Sequence, residues 1–149
     1  MSKFGLRKLG FGILLFGMAV CCYTASPVKA AETDVPIDNK TFPDATFLKY
    51  VGRFDKSGDG RLSESERNAV KEIVVNVDPF SSQTKITSLA GIEYFPNLTV
   101  LECESNSLAG LDVTKNKKLQ ELNCDKNNLQ SLDVSQNTEL IKLQCRYNQ

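Results

Sequence analysis

The segment Leu98-Thr99-Val100-Leu101-Glu102-Cys103-Glu104-Ser105-Asn106-Ser107-Leu108 recurs twice with unchanged spacing. A step of 21 residues gives Leu119, Leu122, Cys124, Asn127 and Leu129, and a second step gives Leu140, Leu143, Cys145 and Asn148. The second half of the unit returns as well: Leu111-Asp112-Val113-Thr114 with Asn116 becomes Leu132-Asp133-Val134-Ser135 with Asn137. A fixed period of this kind marks one supersecondary unit stacked on copies of itself. Leu101 and Cys103 lie two apart, so they share one face of a short strand. Leu98, Leu108, Leu111 and Val113 bring the chain round to close a coil. One coil cannot bury its apolar side alone, and stacking on the next completes the core, which makes the array a solenoid. Asn106, Asn127 and Asn148 stand where the chain leaves the strand. There an Asn side chain tolerates unusual backbone and bonds peptide groups that the turn leaves unpaired.

The three recurring cysteines are read as reduced core residues. Stacked parallel strands hold equivalent Cα atoms about 4.8 Å apart with parallel Cβ vectors, whereas a disulfide wants converging Cβ atoms about 3.8 Å apart. Buried cysteine behaves as a small hydrophobe. The C-x2-C spacing and the His partner of a zinc site are both missing. Upstream, Ile86, Leu89, Ile92, Phe95 and Leu98 recur every three residues. The stretch 86–98 resembles the opening coil of internalin-like leucine-rich repeat proteins. The L-x-x-L-x-C-x-x-N and L-D-V-S-x-N halves resemble a bacterial subclass of the same repeat. With the loop described next, the resemblance covers roughly residues 38–149. It implies an α/β leucine-rich repeat solenoid behind a small helical cap.

Before the array, Asp55-Lys56-Ser57-Gly58-Asp59-Gly60-Arg61-Leu62-Ser63-Glu64-Ser65-Glu66 has the form of a calcium-binding EF-hand loop. Asp55, Ser57 and Asp59 offer oxygens at positions 1, 3 and 5, and Gly60 allows the turn at 6. Arg61 offers its carbonyl at 7, Ser63 stands at 9, and Glu66 can bind through both oxygens at 12. Hard oxygen donors select calcium or magnesium over transition metals. Ser63-x-x-Glu66 is also a capping box that could open a helix without any metal. Phe47, Val51 and Phe54 give the preceding helix its apolar face. Arg67 stands where an EF-hand usually has an apolar residue, so the exit helix is expected to pack through Val70, Ile73 and Val74. A single unpaired loop implies modest affinity and a structural role. The expected boundaries are a linker at 31–41, an EF-hand-like module at 42–76, the opening coil at 77–97 and repeats at 98–149.

Residues 1–30 read as a secretory signal. Lys3, Arg7 and Lys8 precede an apolar stretch over 10–20, and Val28-Lys29-Ala30 suits a cleavage site before Ala31. An apolar stretch of that length is short for a membrane span, so membrane contact is expected only during export. Phe4-Gly5-Leu6-Arg7-Lys8, with Gly12, resembles the YSIRK-type signal of Gram-positive surface proteins. Cys21 and Cys22 raise a lipoprotein alternative, which Val20 before the cysteine disfavours. The segment carries four of the chain's 18 basic residues and no acid, leaving 14 against 18 acids, a net of −4. A mildly acidic product does not suit a nucleic-acid backbone. With 41% hydrophobic and 24% charged residues the chain is globular rather than disordered.

The chain contains no His, so the commonest general base and metal ligand is missing. Asp112 and Asp133 recur at the repeat period, which speaks for a repeated structural task, since a catalytic pair needs unlike environments. No catalytic residue is assigned. The strands should present a ladder to a protein or glycan ligand: Val100, Glu102 and Glu104, then Glu121, Asn123 and Asp125, then Lys142, Gln144 and Arg146, with Tyr147 beside them. The expected function is a secreted or cell-wall-associated binding module. A spacer projecting another domain is the alternative, and a secreted carboxylate enzyme the weaker one. Because solenoids need capping units, the array is expected to continue beyond Gln149 in a longer surface protein.

Overall fold

The computed structural model describes residues 33–149. The predicted signal over 1–30, with Cys21 and Cys22, lies outside the described residues. Asp44 caps the first helix, α1 (Ala45–Val51), by accepting the N–H groups of Thr46 and Phe47. The helix buries Phe47 and Val51 and tightens into a 3-10 turn, Gly52–Phe54. After the 55–60 turn come the strand β2 (Arg61–Leu62) and the helix α2 (Glu64–Ala69), opened by the Ser63/Glu66 capping box. The stretch expected as a linker holds a strand of its own. β1 (Val35–Pro36) pairs antiparallel with β2, and Val35 and Phe42 are both buried. Proline is tolerated there because it lies on the edge of a two-stranded ribbon.

The exit helix does not extend to Val74. It stops at Ala69, Val70 is its C-cap, and Ile73 and Val74 belong to β3 (Glu72–Val74). The β-branched residues Val70, Ile73, Val74 and Val75 favour extended backbone over helix. β3 is the first strand of a four-stranded parallel sheet that continues through β4 (Val100–Glu102), β5 (Glu121–Asn123) and β6 (Lys142–Gln144). Ile73 pairs with Leu101, Leu101 with Leu122, and Leu122 with Leu143. The first step is therefore 28 residues and the next two are 21.

One residue beyond each strand, Val75, Cys103 and Cys124 point inward and are buried, whereas Cys145 is exposed. Three buried cysteines were expected; only two are buried, because the 140–149 coil has no coil stacked on its outer side among the described residues. Cys103 and Cys124 are free thiols, each directed at a carbonyl of the next coil 3.4 Å away.

The asparagines act as expected on peptide groups. Asn127 Nδ2 donates to the carbonyls of Cys103, Cys124 and Asp125, and its Oδ1 accepts the Leu108 N–H. Asn106 and Asn148 repeat the pattern one coil before and after. The left-handed backbone, however, falls on the preceding residue, at Ser105, Lys126 and Tyr147. A second ladder closes the other edge, with Asn116 Nδ2 bonded to the Ile92 and Phe95 carbonyls and Asn137 Nδ2 to those of Val113 and Asn116.

Ile86, Leu89, Ile92, Phe95 and Leu98 are all buried. They carry the core from the cap into the coils: Phe54 meets Phe95 edge-on at 5.6 Å, and Phe42 meets Phe47 at 5.9 Å. A single hydrophobic cluster runs from Val35 to Leu129, so cap and coils share one core. No helix among the described residues is long and apolar enough to cross a membrane.

Candidate functional site: the strand face and the 55–66 loop

The strand register sorts the outward side chains into rows. Glu72, Val100, Glu121 and Lys142 form one, and Val74, Glu102, Asn123 and Gln144 the next. Asn76, Glu104, Asp125 and Arg146 lie two residues further on. The rows are tied crosswise. Asn76 donates to Glu102 at 2.8 Å, Lys126 pairs with Glu104 at 2.7 Å, and Lys142 pairs with Glu121 at 3.2 Å. The Lys126 ammonium holds the Glu104 carboxyl below the usual range, with help from Asn123. Exposed pairs of this kind add little stability; their effect is to fix where the charges stand.

Asp125 differs from the open ladder position expected of it. It is 3% exposed, and its carboxylate accepts the Arg146 N–H at 2.6 Å and the Arg146 guanidinium at 2.9 and 3.1 Å. Asp125 therefore positions Arg146, whose guanidinium stays accessible. Tyr147 is 74% exposed and stands at positive φ. The face passes from acids on β3, β4 and β5 to Lys142 and Arg146 at the last strand, as the sequence suggested. Asp112 and Asp133 lie away from it, and each accepts the N–H two residues on, Thr114 or Ser135, in a turn.

In the 55–66 loop, Asp55 Oδ1 accepts the Gly58 N–H and the Ser57 hydroxyl, and Oδ2 accepts the Gly60 N–H. Gly58 and Gly60 have φ of 74° and 76°, the left-handed region that favours glycine. Desolvation acts to raise the Asp55 pKa, but the N–H groups of Gly60 and Gly58 outweigh it and leave the carboxyl below the usual range. Glu66 is held low chiefly by the Ser63 hydroxyl, against some desolvation, with the N–H groups of Ser63, Lys56 and Ser57 adding to the effect. Its Oε1 accepts the Lys56 and Ser57 N–H groups and its Oε2 the Ser63 N–H and hydroxyl. Among the described residues no three His, Cys, Asp or Glu side chains are arranged to hold a metal ion. The donor set of Asp55, Ser57, Asp59, Ser63 and Glu66 is nonetheless all oxygen and fits a hard cation. The loop has no second loop of its kind beside it among the described residues; the strand β1 lies along its second half instead.

Parallel strands, the last three at a constant 21-residue step, an inward cysteine ladder and asparagines bonding from coil to coil define the architecture. A functional domain of InlJ from Listeria monocytogenes, one that includes a cysteine ladder, superposes with a TM-score of 0.66 at 32% identity, over 80% of this chain and 25% of that one. The fold is an internalin-like leucine-rich repeat. The Listeria monocytogenes internalin InlF gives a TM-score of 0.66 at 23% identity, over 80% of this chain and 34% of its own. Internalin C2 of the same organism gives 0.61 at 22%, over 75% and 48%. The chain thus spans between a quarter and about half of these solved chains. No protein-family model and no curated protein matches it.

Within this internalin-like fold, sequence reasoning missed the first column of the strand face. Glu72, Val74 and Asn76 extend the ladder by one strand. That strand has Ile73 and Val75 in place of the Leu-x-Cys signature, and a 28-residue step hides it from a 21-residue search. The side chains of Arg61 and Arg67 also have roles to which no sequence signal pointed. Their guanidinium groups donate to the carbonyls of Asp34 and Thr33, so the charge at Arg67 serves the N-terminal segment instead of an apolar helix contact.

Proposed function

We propose that this chain is an exported bacterial leucine-rich repeat module that binds an extracellular protein through the strand face of β3 to β6. The observation carrying this reading is the ordered face itself. Four parallel strands on a shared core present alternating side chains whose charges are fixed by cross-strand bonds. Repeat scaffolds use such extended surfaces for partners. Exposed Tyr147, half-exposed Val74 and the accessible Arg146 supply the aromatic, apolar and cationic contacts that concentrate binding energy in protein interfaces. Residues 1–30 would direct export, and the module would act outside the cell, released or held at the wall.

The same reading includes a structural calcium ion in the 55–66 loop, held by Asp55, Ser57, Asp59, the Arg61 carbonyl, Ser63 and Glu66. Calcium would supply charge neutralisation and a cross-link from the start of the loop to α2. Calorimetry on residues 31–149 with millimolar calcium tests it, and absence of binding by the folded protein would leave only the capping box.

The binding claim is tested against a panel of extracellular proteins and glycans. Charge reversal on the strand face, Glu102→Lys with Arg146→Glu, is compared with Lys115→Glu and Lys117→Glu on the turns. The strand-face pair should weaken a protein interaction at least tenfold, and the turn pair less than twofold. Equal losses, or a glycan as the sole ligand, would contradict the reading.

A further inference from the structure

The two halves of the 55–66 loop are held by different parts of the chain. The first half is held from within, by the Asp55 and Glu66 carboxylates on the N–H groups of Lys56, Ser57, Gly58 and Gly60. The second half is held from outside, by residues 33–37. The Ile37 N–H donates to the Gly60 carbonyl at 3.0 Å, and β1 pairs Pro36 with Arg61 and Val35 with Leu62. Val35 and Leu62 are buried in the common core. Arg61 and Arg67 then reach across to the carbonyls of Asp34 and Thr33.

This pairing bears on the ligand set. An extended residue points its N–H and its C=O to the same side of the strand. The Arg61 N–H donates to Asp59 Oδ1 at 2.9 Å, away from β1. The Arg61 carbonyl, the expected ligand at position 7, is therefore turned the same way, into the loop. Pro36 lacks an N–H and suits the facing position, where none is needed. Gly60, Arg61 and Leu62 would otherwise be an exposed strand edge of three residues, free to take other backbone angles.

We infer that residues 33–37 are a working part of the calcium site, aiming the Arg61 carbonyl and stiffening the second half of the loop. The inference rests on the calcium reading above. It makes ion binding and docking of the N-terminal strand reciprocal: whatever factor the strand adds to calcium affinity, calcium adds to strand docking. The segment begins within a few residues of the predicted cleavage site before Ala31, so the strand belongs to the very start of the exported chain.

The experiment compares residues 31–149 with the same chain lacking 31–37 and with Ile37→Pro, which removes the N–H bonded to Gly60. Calcium affinity is read by calorimetry, and exchange of the Ile37 and Leu62 amides is followed with and without calcium. Protected amides at Cys103 and Cys124 report that the coils remain folded. Loss of the strand should weaken calcium binding about tenfold, the equivalent of one good hydrogen bond, and calcium should slow the Ile37 exchange by a similar factor. Ile37→Pro gives the same reading should the deletion disturb the cap. Failure of the unaltered chain to bind calcium would overturn the calcium reading and this inference with it. Calcium binding that is unchanged within twofold in both variants, with Ile37 exchange indifferent to calcium, would overturn this inference alone.

Discussion

Asn127→Ala isolates what the asparagine ladder contributes. The side chain makes three donor bonds, to the carbonyls of Cys103, Cys124 and Asp125, and one acceptor bond to the Leu108 N–H. Those carbonyls keep other partners after the substitution: Asn106 Nδ2 on Cys103, Asn148 Nδ2 on Cys124 and the Ser105 N–H on Asp125. The group left with no partner is the Leu108 N–H, on a fully buried residue. A buried orphan of this kind costs about 1–3 kcal/mol, and each lost secondary bond roughly 0.5–1 kcal/mol. The total is about 2.5–6 kcal/mol, a large share of the roughly 5–15 kcal/mol typical of a domain.

Asn148→Ala removes the equivalent bonds at the partly exposed end, where water replaces them, and should cost about 1 kcal/mol. Asn127→Asp keeps the acceptor but sets a carboxylate among three carbonyl oxygens, so it should cost at least as much as alanine. Urea unfolding followed by far-ultraviolet circular dichroism suits a chain without tryptophan. If Asn127→Ala costs under 1 kcal/mol, or no more than Asn148→Ala, the ladder is not what joins the coils.

Three further outcomes follow from single contacts. Gly91 stands at φ 99°, and a Cβ there would overlap the Phe42 ring, so Gly91→Ala should lose about 2–4 kcal/mol in the same unfolding assay. Burial pushes the Cys103 thiol up strongly and the Cys124 thiol up to about 12. In residues 31–149, iodoacetamide at pH 8 should therefore label Cys145 alone of Cys103, Cys124 and Cys145 in the native state and all three in denaturant, as mass spectrometry would show. Asp44 caps α1 and also binds the Thr87 N–H and hydroxyl; desolvation acts to raise its pKa, but these bonds outweigh it and leave the carboxyl depressed. A depressed carboxyl contributes stability above its unfolded pKa near 3.8 and loses it as pH falls through the folded value. Asp44→Ala should cost about 1–2 kcal/mol at pH 7, with a smaller difference from the parent at pH 3.

The coils were legible because each repeats its own constraints. Leu101, Cys103 and Asn106 return at one spacing, and only a stacked strand with an inward face and a bonded turn uses them all. The 55–66 stretch was legible as a loop for a similar reason, since its glycines stand where φ is positive. What the sequence hid were contacts made once. β1 is two residues long and includes a proline, so no periodicity reveals it; its place comes from Arg61, Arg67 and the burial of Val35. β3 was mistaken for the continuation of a helix because Val70, Ile73 and Val74 also fit helical spacing, and their β-branched character decided otherwise. Asp125 looked like an outward ladder position by register alone. Its burial depends on Arg146, 21 residues later, folding over it.

The central claim is that the strand face receives a protein partner, and amide exchange of the complex tests it most directly. With a partner from the extracellular panel bound, protection should rise along 72–76, 100–104, 121–126 and 142–147 and stay unchanged at 109–115 and 130–136. Protection confined to those turn segments, with the strand amides and Tyr147 unaffected, would contradict it.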